Sequence, residues 1–342
     1  MKLLIITQVM DKEHPILGFF HRWVEEFAAH CEHVSVICLQ SGEYSFPENV
    51  KVYSLGKEEG KGRLTYLYRF YKFIWKLRHE YHQVFVHMNQ QYVILGAPLW
   101  RSQGKKVGLW YAHGAVTNSL KLSLKLSNFV FTSTEQGMSI SSAKRIIVGQ
   151  GIDFEIFKNT QKKKNDILQL ITVGRVSQSK NIETLLTACS ILKEKGIAYY
   201  FKIAGVPTTD KEFLYAKEMY ELTKNLNLQG EVEWVGAVSN YLLPDLLQQS
   251  NVFIHDGSTN SLDKALVEAS VCGCVVVSSN PSYKALTKDV APQYLYNQGD
   301  STELADILLN LENNSTASVL VRDRFLKKFN ITNLVAAIVS SY

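Results

Sequence analysis

Short apolar runs of strand length alternate with helical patterns along the whole sequence, and this alternation constrains the fold more than any other feature. In the first half the strand-like runs are 2–7, 33–39, 50–55, 83–87, 106–112, 129–132 and 145–148, with helical patterns at 20–31, 64–81 and 92–103. Such alternation predicts a parallel sheet covered by helices on both faces. The pattern stops at 158–166, KNTQKKKND, a polar stretch with four lysines that reads as a linker or hinge. It then restarts with strands at 167–173, 199–204, 231–235, 251–255 and 274–278. Helices are expected at 182–195, 212–227, 241–249, 262–272, 301–311 and 317–341. The expectation is therefore an α/β protein of two Rossmann-like domains. They would face a ligand cleft at the carboxyl ends of both sets of strands.

The 342 residues suit two such domains, and 46% hydrophobic residues with 20% charged exclude a disordered chain. Five scattered cysteines (Cys31, Cys38, Cys189, Cys272 and Cys274) fit a reduced, cytoplasmic protein, with packing as their role. The apolar run Leu3–Ile6 is too short for a signal-peptide core, and no stretch of about 18 apolar residues occurs. Charge is uneven. Residues 1–150 hold 18 Lys and Arg against 11 Asp and Glu, and the remainder holds 19 against 21. An anionic acceptor or surface facing the first half is one reading, and an ordinary solvated surplus is the other.

Five constellations could carry chemistry. In 251–278, NVFIHDGSTNSLDKALVEASVCGCVVVS, a buried strand runs through a loop of small residues into a helix starting near Ser261. A helix N-terminus of this kind suits an anion. Glu268 could accept two ribose hydroxyls, or pair at the surface with Lys264. Asn260 could contact ligand, or cap the helix with Asp263 at its third position. On residue physics alone the structural reading is the stronger for both. In 171–196 a strand ends at Gly174, and Arg175 and Lys180 flank the turn into the next helix. A guanidinium fork and a point charge there suit a diphosphate. His113 precedes Gly114 at the end of an apolar strand, and Gly18 opens the first helix. Residues 61–82, KGRLTYLYRFYKFIWKLRHEYH, are basic and aromatic. They read first as a core helix with a solvated basic face, and alternatively as a helix lying on anionic lipid. Neither a G-x-x-x-x-G-K-[ST] loop nor a G-x-G-x-x-G turn occurs, and no D-x-D is present to hold a divalent metal on a nucleotide sugar.

Together these residues resemble glycosyltransferase family 4, retaining enzymes of the GT-B fold, across nearly the whole chain. Residues 148–157, VGQGIDFEIF, look like the family's I-P-N-G-V-D segment with its downstream Phe. Residues 173–185, VGRVSQSKNIETL, look like its V-G-R-x-x-x-x-K-G-x-x-x-L diphosphate motif. Residues 266–273, LVEASVCG, look like its L-x-E-A-x-A-C-G. The resemblance implies an acceptor-binding domain (1–157), a donor-binding domain (158–320) and a closing helix (321–342) that crosses back onto the first domain. It implies donor contacts from Gly18, Gly174, Arg175, Lys180, Ser261, Leu262 and Glu268, with His113, Arg175, Lys180 and Asn260 catalytic. In the implied reaction a nucleotide diphosphate sugar, without metal or other cofactor, glycosylates a carbohydrate or lipid-linked acceptor. The implied setting is surface polysaccharide or glycolipid synthesis, in the cytoplasm or peripherally at an anionic membrane. Nucleic acid is not an implied partner. One departure stands out: the family's E-x7-E pair places its first Glu at Asn260, which carries no charge. Asp263 stands where small or apolar residues usually flank the phosphate, so its side chain is expected to point away. A sugar-nucleotide epimerase on the same fold and a catalytically impaired donor-binding protein are the alternatives.

Overall fold

The computed structural model describes residues 1–159, 167–311 and 316–342, so most of the expected linker (160–166) lies outside the described residues. The chain divides into two compact units, Met1–Asp153 with Phe329–Tyr342, and Phe154–Lys328. The sequence reading had expected boundaries at 158 and 321.

In chain order the first unit comprises β1 (Lys2–Met10), α1 (Phe19–His30), β2 (His33–Ser41), β3 (Val50–Ser54), α2 (Arg63–Lys76), β4 (Gln83–His87), α3 (Gln90–Ser102), β5 (Lys106–Trp110), α4 (Asn118–Leu126), β6 (Phe129–Thr132) and β7 (Arg145–Ile147). Its sheet has the order β3-β2-β1-β4-β5-β6-β7 and every pairing is parallel. Side chains alternate between two faces. Leu4, Ile6, Val84 and Val86 pack under α2, α3 and α4 through Phe70, Ile74, Tyr92, Val93, Trp100, Leu120 and Leu124. Leu3, Ile5, Val34 and Val36 pack with Phe20, Trp23, Val24 and Phe27 of α1 on the other face. Both faces are thus buried, which is why the strands read as continuous apolar runs rather than alternating ones.

The second unit comprises β8 (Leu168–Val173), α5 (Ile182–Glu194), β9 (Tyr199–Ala204), α6 (Asp210–Asn225), β10 (Val232–Gly236), α7 (Leu243–Gln248), β11 (Val252–His255), α8 (Lys264–Val271), β12 (Val275–Ser278), α9 (Pro281–Thr287), α10 (Ser301–Leu309) and α11 (Thr316–Lys328). Its parallel sheet has the order β10-β9-β8-β11-β12.

The expected closing helix over 317–341 is two helices. It breaks at Phe329–Asn330, where the Asn330 carboxamide accepts the Thr332 amide at 2.8 Å and so caps α12 (Ile331–Ser340). α11 belongs to the second unit, and α12 returns to the first unit, where Ile331, Leu334, Val335 and Ile338 join the α1 face of the core. No helix of the described residues is long and apolar enough to cross a membrane.

Candidate functional site

In the second unit the chain runs from β8 outward to β9 and β10, then returns to place β11 against the other side of β8. The turns leaving β8 and β11 therefore diverge, and a crevice opens at the carboxyl ends of the two strands. Both turns carry charge. Gly174 ends β8 with φ +146°, and a Cβ on it would stand 2.8 Å from Cε of Lys180. Gly205, at the end of β9 with φ +149°, comes so close that its Cβ would lie 1.8 Å from the Gly174 carbonyl oxygen. Two bare backbones are needed for Lys180 to lie across the strand end.

Arg175 Nη1 donates to Glu212 Oε1 at 2.7 Å. Burial opposes the Glu212 charge, but hydrogen bonds from the Thr208 hydroxyl and amide and the Arg175 charge outweigh it, holding the carboxyl below its ordinary pKa. Lys180 ends a short 3-10 turn (Gln178–Lys180) and forms an ion pair with Asp263. Burial first, and then the neighbouring Arg175 charge, pushes the Lys180 ammonium down to about 8. The Asp263 carboxylate acts the other way and favours the charged form.

The turn is braced by residues that sequence reasoning missed. Asn181, at φ +46°, donates its carboxamide to Asp256 at 2.7 Å. The fully buried Asp256 carboxylate also accepts the Ser279 hydroxyl at 2.5 Å and the Gly299 amide at 3.0 Å. Beside it, Nδ1 of buried His255 accepts the Gly257 amide at 3.2 Å, so the ring proton sits on Nε2 and points to Asp263 Oδ2, also 3.2 Å away. Burial and then the Lys180 charge hold His255 neutral, well below its ordinary pKa. A His-Asp pair closing an apolar strand was the signal that could have revealed this brace, because such groups are buried only with partners.

Four expectations about the following helix are corrected. α8 starts at Lys264 rather than near Ser261, and its cap is Asp263, whose Oδ1 accepts the Ala265 amide, rather than Asn260. Asp263 does not point away, since its other oxygen meets Lys180 and His255. Glu268 is not a surface residue: it is 3% exposed. Its Oε1 stands 2.9 Å from the Lys264 ammonium in an ion pair whose geometry makes no hydrogen bond. The preceding loop is pinned by its backbone. Asn280 donates to the carbonyls of Thr259 (2.9 Å) and Ser261 (3.1 Å), and Ser282 donates to that of Asn260 (2.5 Å). This pinning leaves the Asn260 side chain exposed and Leu262 buried.

The structure therefore brings Gly174, Arg175 and Lys180 to one switch-point turn, and Asp263 ties that turn to the loop holding Asn260, Ser261 and Leu262. His113 and Gly18 lie in the first unit. Exposed His113 follows β5, and its Nδ1 accepts the Ala115 amide at 3.0 Å. Gly18 is explained by its own loop, because a Cβ would fall 2.6 Å from the carbonyl oxygens of both Lys12 and His14.

Two parallel-sheet, Rossmann-like units are the architecture of the GT-B glycosyltransferase fold. The sequence pattern of the family described as glycosyl transferases group 1 matches residues 153–327, and the chain belongs to that family. Among curated relatives, the amylovoran biosynthesis glycosyltransferase AmsK of Erwinia amylovora is 27% identical over 182 residues, covering 51% of this chain and 43% of that protein. The capsular polysaccharide biosynthesis glycosyltransferase CapH of Staphylococcus aureus is 32% identical over 126 residues, covering 36% of this chain and 33% of that protein. The chain spans about half the length of the curated relatives it matches, or less. Among solved structures, Anabaena HepE in complex with UDP-glucose aligns with a TM-score of 0.78 and 16% identity, over 99% of this chain and 100% of that one.

Proposed function

We propose that this protein is a retaining, metal-independent glycosyltransferase. It moves a sugar, of hexose type, from a nucleotide diphosphate sugar to a hydroxyl of a carbohydrate or lipid-linked acceptor in surface polysaccharide or glycolipid synthesis. The observation that carries the reading is the cationic turn at the β8/β11 switch point. Arg175 and Lys180 sit where a diphosphate would bind, each held by a carboxylate that an anion can replace. In the reaction the bond between the anomeric carbon and the diphosphate oxygen breaks, and the acceptor oxygen bonds to that carbon with retention of configuration. Negative charge grows on the leaving diphosphate, and Arg175 and Lys180 neutralise it, assisted by the amides of Ser261 and Leu262. Glu268 receives the ribose hydroxyls, for which its buried Oε1 has hydrogen-bonding capacity to spare. Asn260 contacts the sugar, and His113 is the residue that the first unit offers to the reaction. A lipid-linked acceptor would bring the protein to a membrane surface.

HepE, solved with UDP-glucose, makes uracil the first base to test. Thermal stabilisation by UDP, GDP and ADP sugars should single out one base, since a bound donor raises apparent stability by mass action. With that donor, transfer should proceed equally with and without EDTA and give the donor's anomer in the product. Complete loss in EDTA restored by Mg²⁺ would refute metal independence. Conversion of the donor to its epimer without net release of nucleoside diphosphate would favour epimerisation, and tight donor binding without turnover would favour a binding protein.

A further inference from the structure

The three helices that cover one face of the first sheet are of a single charge. α2, α3 and α4 carry Arg63, Arg69, Lys72, Lys76, Arg101, Lys121 and Lys125 and no Asp or Glu, whereas α1 on the opposite face carries Glu25 and Glu26. The outer side of α2 is also apolar. Phe70 and Ile74 bury its inner side, yet Leu64 is 85% exposed, Tyr68 66% and Trp75 56%, with Leu67 and Tyr71 exposed between them. Residues 64, 68, 71 and 75 recur at helical spacing, so they form one stripe along a helix about 21 Å long. Exposed Lys72 and Lys76 run beside the stripe, and Leu122 of α4 is exposed with Lys121 and Lys125 as its neighbours. A solvated basic face, the first reading of this segment, explains the lysines but not two tyrosines, two leucines and a tryptophan held in water.

We infer that the outer face of α2, continued by α4, is an interfacial surface that docks the first unit flat on an anionic lipid bilayer. Tyr and Trp side chains suit the headgroup level, where one end of the ring is apolar and the other wet. Leu64 and Leu67 would reach the acyl boundary, and Arg63, Lys72 and Lys76 of α2 with Lys121 and Lys125 of α4 would meet lipid phosphates, Arg69 being paired with Glu59. The absence of acidic residues from all three helices favours a uniformly negative sheet over a protein surface of mixed charge. The inference deepens the reading of a membrane-borne acceptor, but its test requires no turnover.

The test is flotation with extruded vesicles of phosphatidylcholine alone or with about a third phosphatidylglycerol. Wild type should float with the anionic vesicles at low salt, be released by 0.5 M salt, and ignore the neutral ones. Lys72→Glu with Lys76→Glu should require on the order of a hundredfold more anionic lipid. Tyr68→Ser with Trp75→Ser should weaken binding roughly tenfold at unchanged charge. Brominated lipid should quench wild-type tryptophan fluorescence, and the Trp75→Ser variant should lose that quenching. All these positions are exposed, so both double variants should keep the wild-type melting temperature and the wild-type response to nucleotide. Donor binding that persists without flotation would therefore overturn the docking surface alone, and flotation without donor binding would overturn the transferase reading alone. Failure of wild type to float with anionic vesicles would refute the inference. So would wild-type flotation of both double variants, or concentration-dependent dimerisation lost in the Tyr68/Trp75 variant with no response to lipid.

Discussion

On the proposed reading, Asp263 stands in for an incoming phosphate at Lys180, and Asp263→Asn tests that role. Asn caps helices as well as Asp, so the hydrogen bond to the Ala265 amide should survive, while the charge is lost and the atom facing Lys180 and His255 becomes an amide nitrogen that cannot accept from them. Two effects of opposite sign follow. The side chains of Lys180 and Asp263 are 23% and 20% exposed, and a partly exposed pair of this kind contributes about 1–2 kcal/mol to stability. The melting temperature of the variant should therefore fall by roughly 3–6 °C for a domain of this size. Ligand affinity should move the other way. A carboxylate about 4 Å from a bound phosphate repels it by about 4 kcal/mol at an effective dielectric of 20, and solvent at the site roughly halves this. Removing about 2 kcal/mol of repulsion tightens nucleoside diphosphate binding roughly 30-fold. Differential scanning calorimetry and isothermal titration with the nucleoside diphosphate measure the two effects separately. A destabilised variant with unchanged or weaker nucleotide affinity would refute the claim that Asp263 stands in for the ligand.

Two further predictions follow from the same turn. Gly205→Ala forces a Cβ onto the Gly174 carbonyl at a φ of +149°, so it should destabilise the second unit by at least about 3 kcal/mol; a melting curve within 1 °C of wild type would contradict the backbone packing. Lys180 must be protonated to hold an anion, and its folded pKa is pushed down to about 8. Nucleotide affinity should therefore be steady below pH 7 and fall as pH rises through 8, with Lys180→Arg abolishing the fall. Protein stability has the opposite slope there. The unfolded lysine keeps its proton up to its ordinary pKa, so stability should rise with pH between about 8 and 10.5.

Much of the fold was legible because both sheets are buried on both faces. Gln83–His87, Phe129–Thr132 and Tyr199–Ala204 are mostly apolar runs, and the structure gives them the expected bounds. α4 was not anticipated. Its leucines at 120, 122, 124 and 126 alternate with a strand's period, and the Thr117 hydroxyl that caps it at the Leu120 amide is a single weak signal. The break between α11 and α12 was hidden in the same way, since Asn330 sits in an otherwise helical pattern and its capping role depends on where the chain turns. At the candidate site, the glycine and cations of the β8 turn were readable locally. The partners of those cations were not, because Arg175–Glu212, Lys180–Asp263 and Asn181–Asp256 all join separate strand-to-helix turns. Such contacts follow from strand order, which local periodicity does not encode. The surplus of basic residues in the first half was visible as a number. That it gathers on the α2–α3–α4 face became visible only with the topology.

The central claim is that Arg175 and Lys180 hold a departing diphosphate, and the kinetics of Arg175→Ala and Lys180→Ala with the identified donor test it most directly. Interactions that strengthen as the glycosidic bond breaks appear in kcat as well as in donor affinity. Each substitution should cost on the order of 3 kcal/mol, a rate loss of roughly a hundredfold, in protein that melts as a folded chain. Arg175→Lys should also be impaired, because a point charge does not replace the guanidinium fork. Folded Arg175→Ala and Lys180→Ala proteins that turn over and bind nucleotide like wild type would contradict the account.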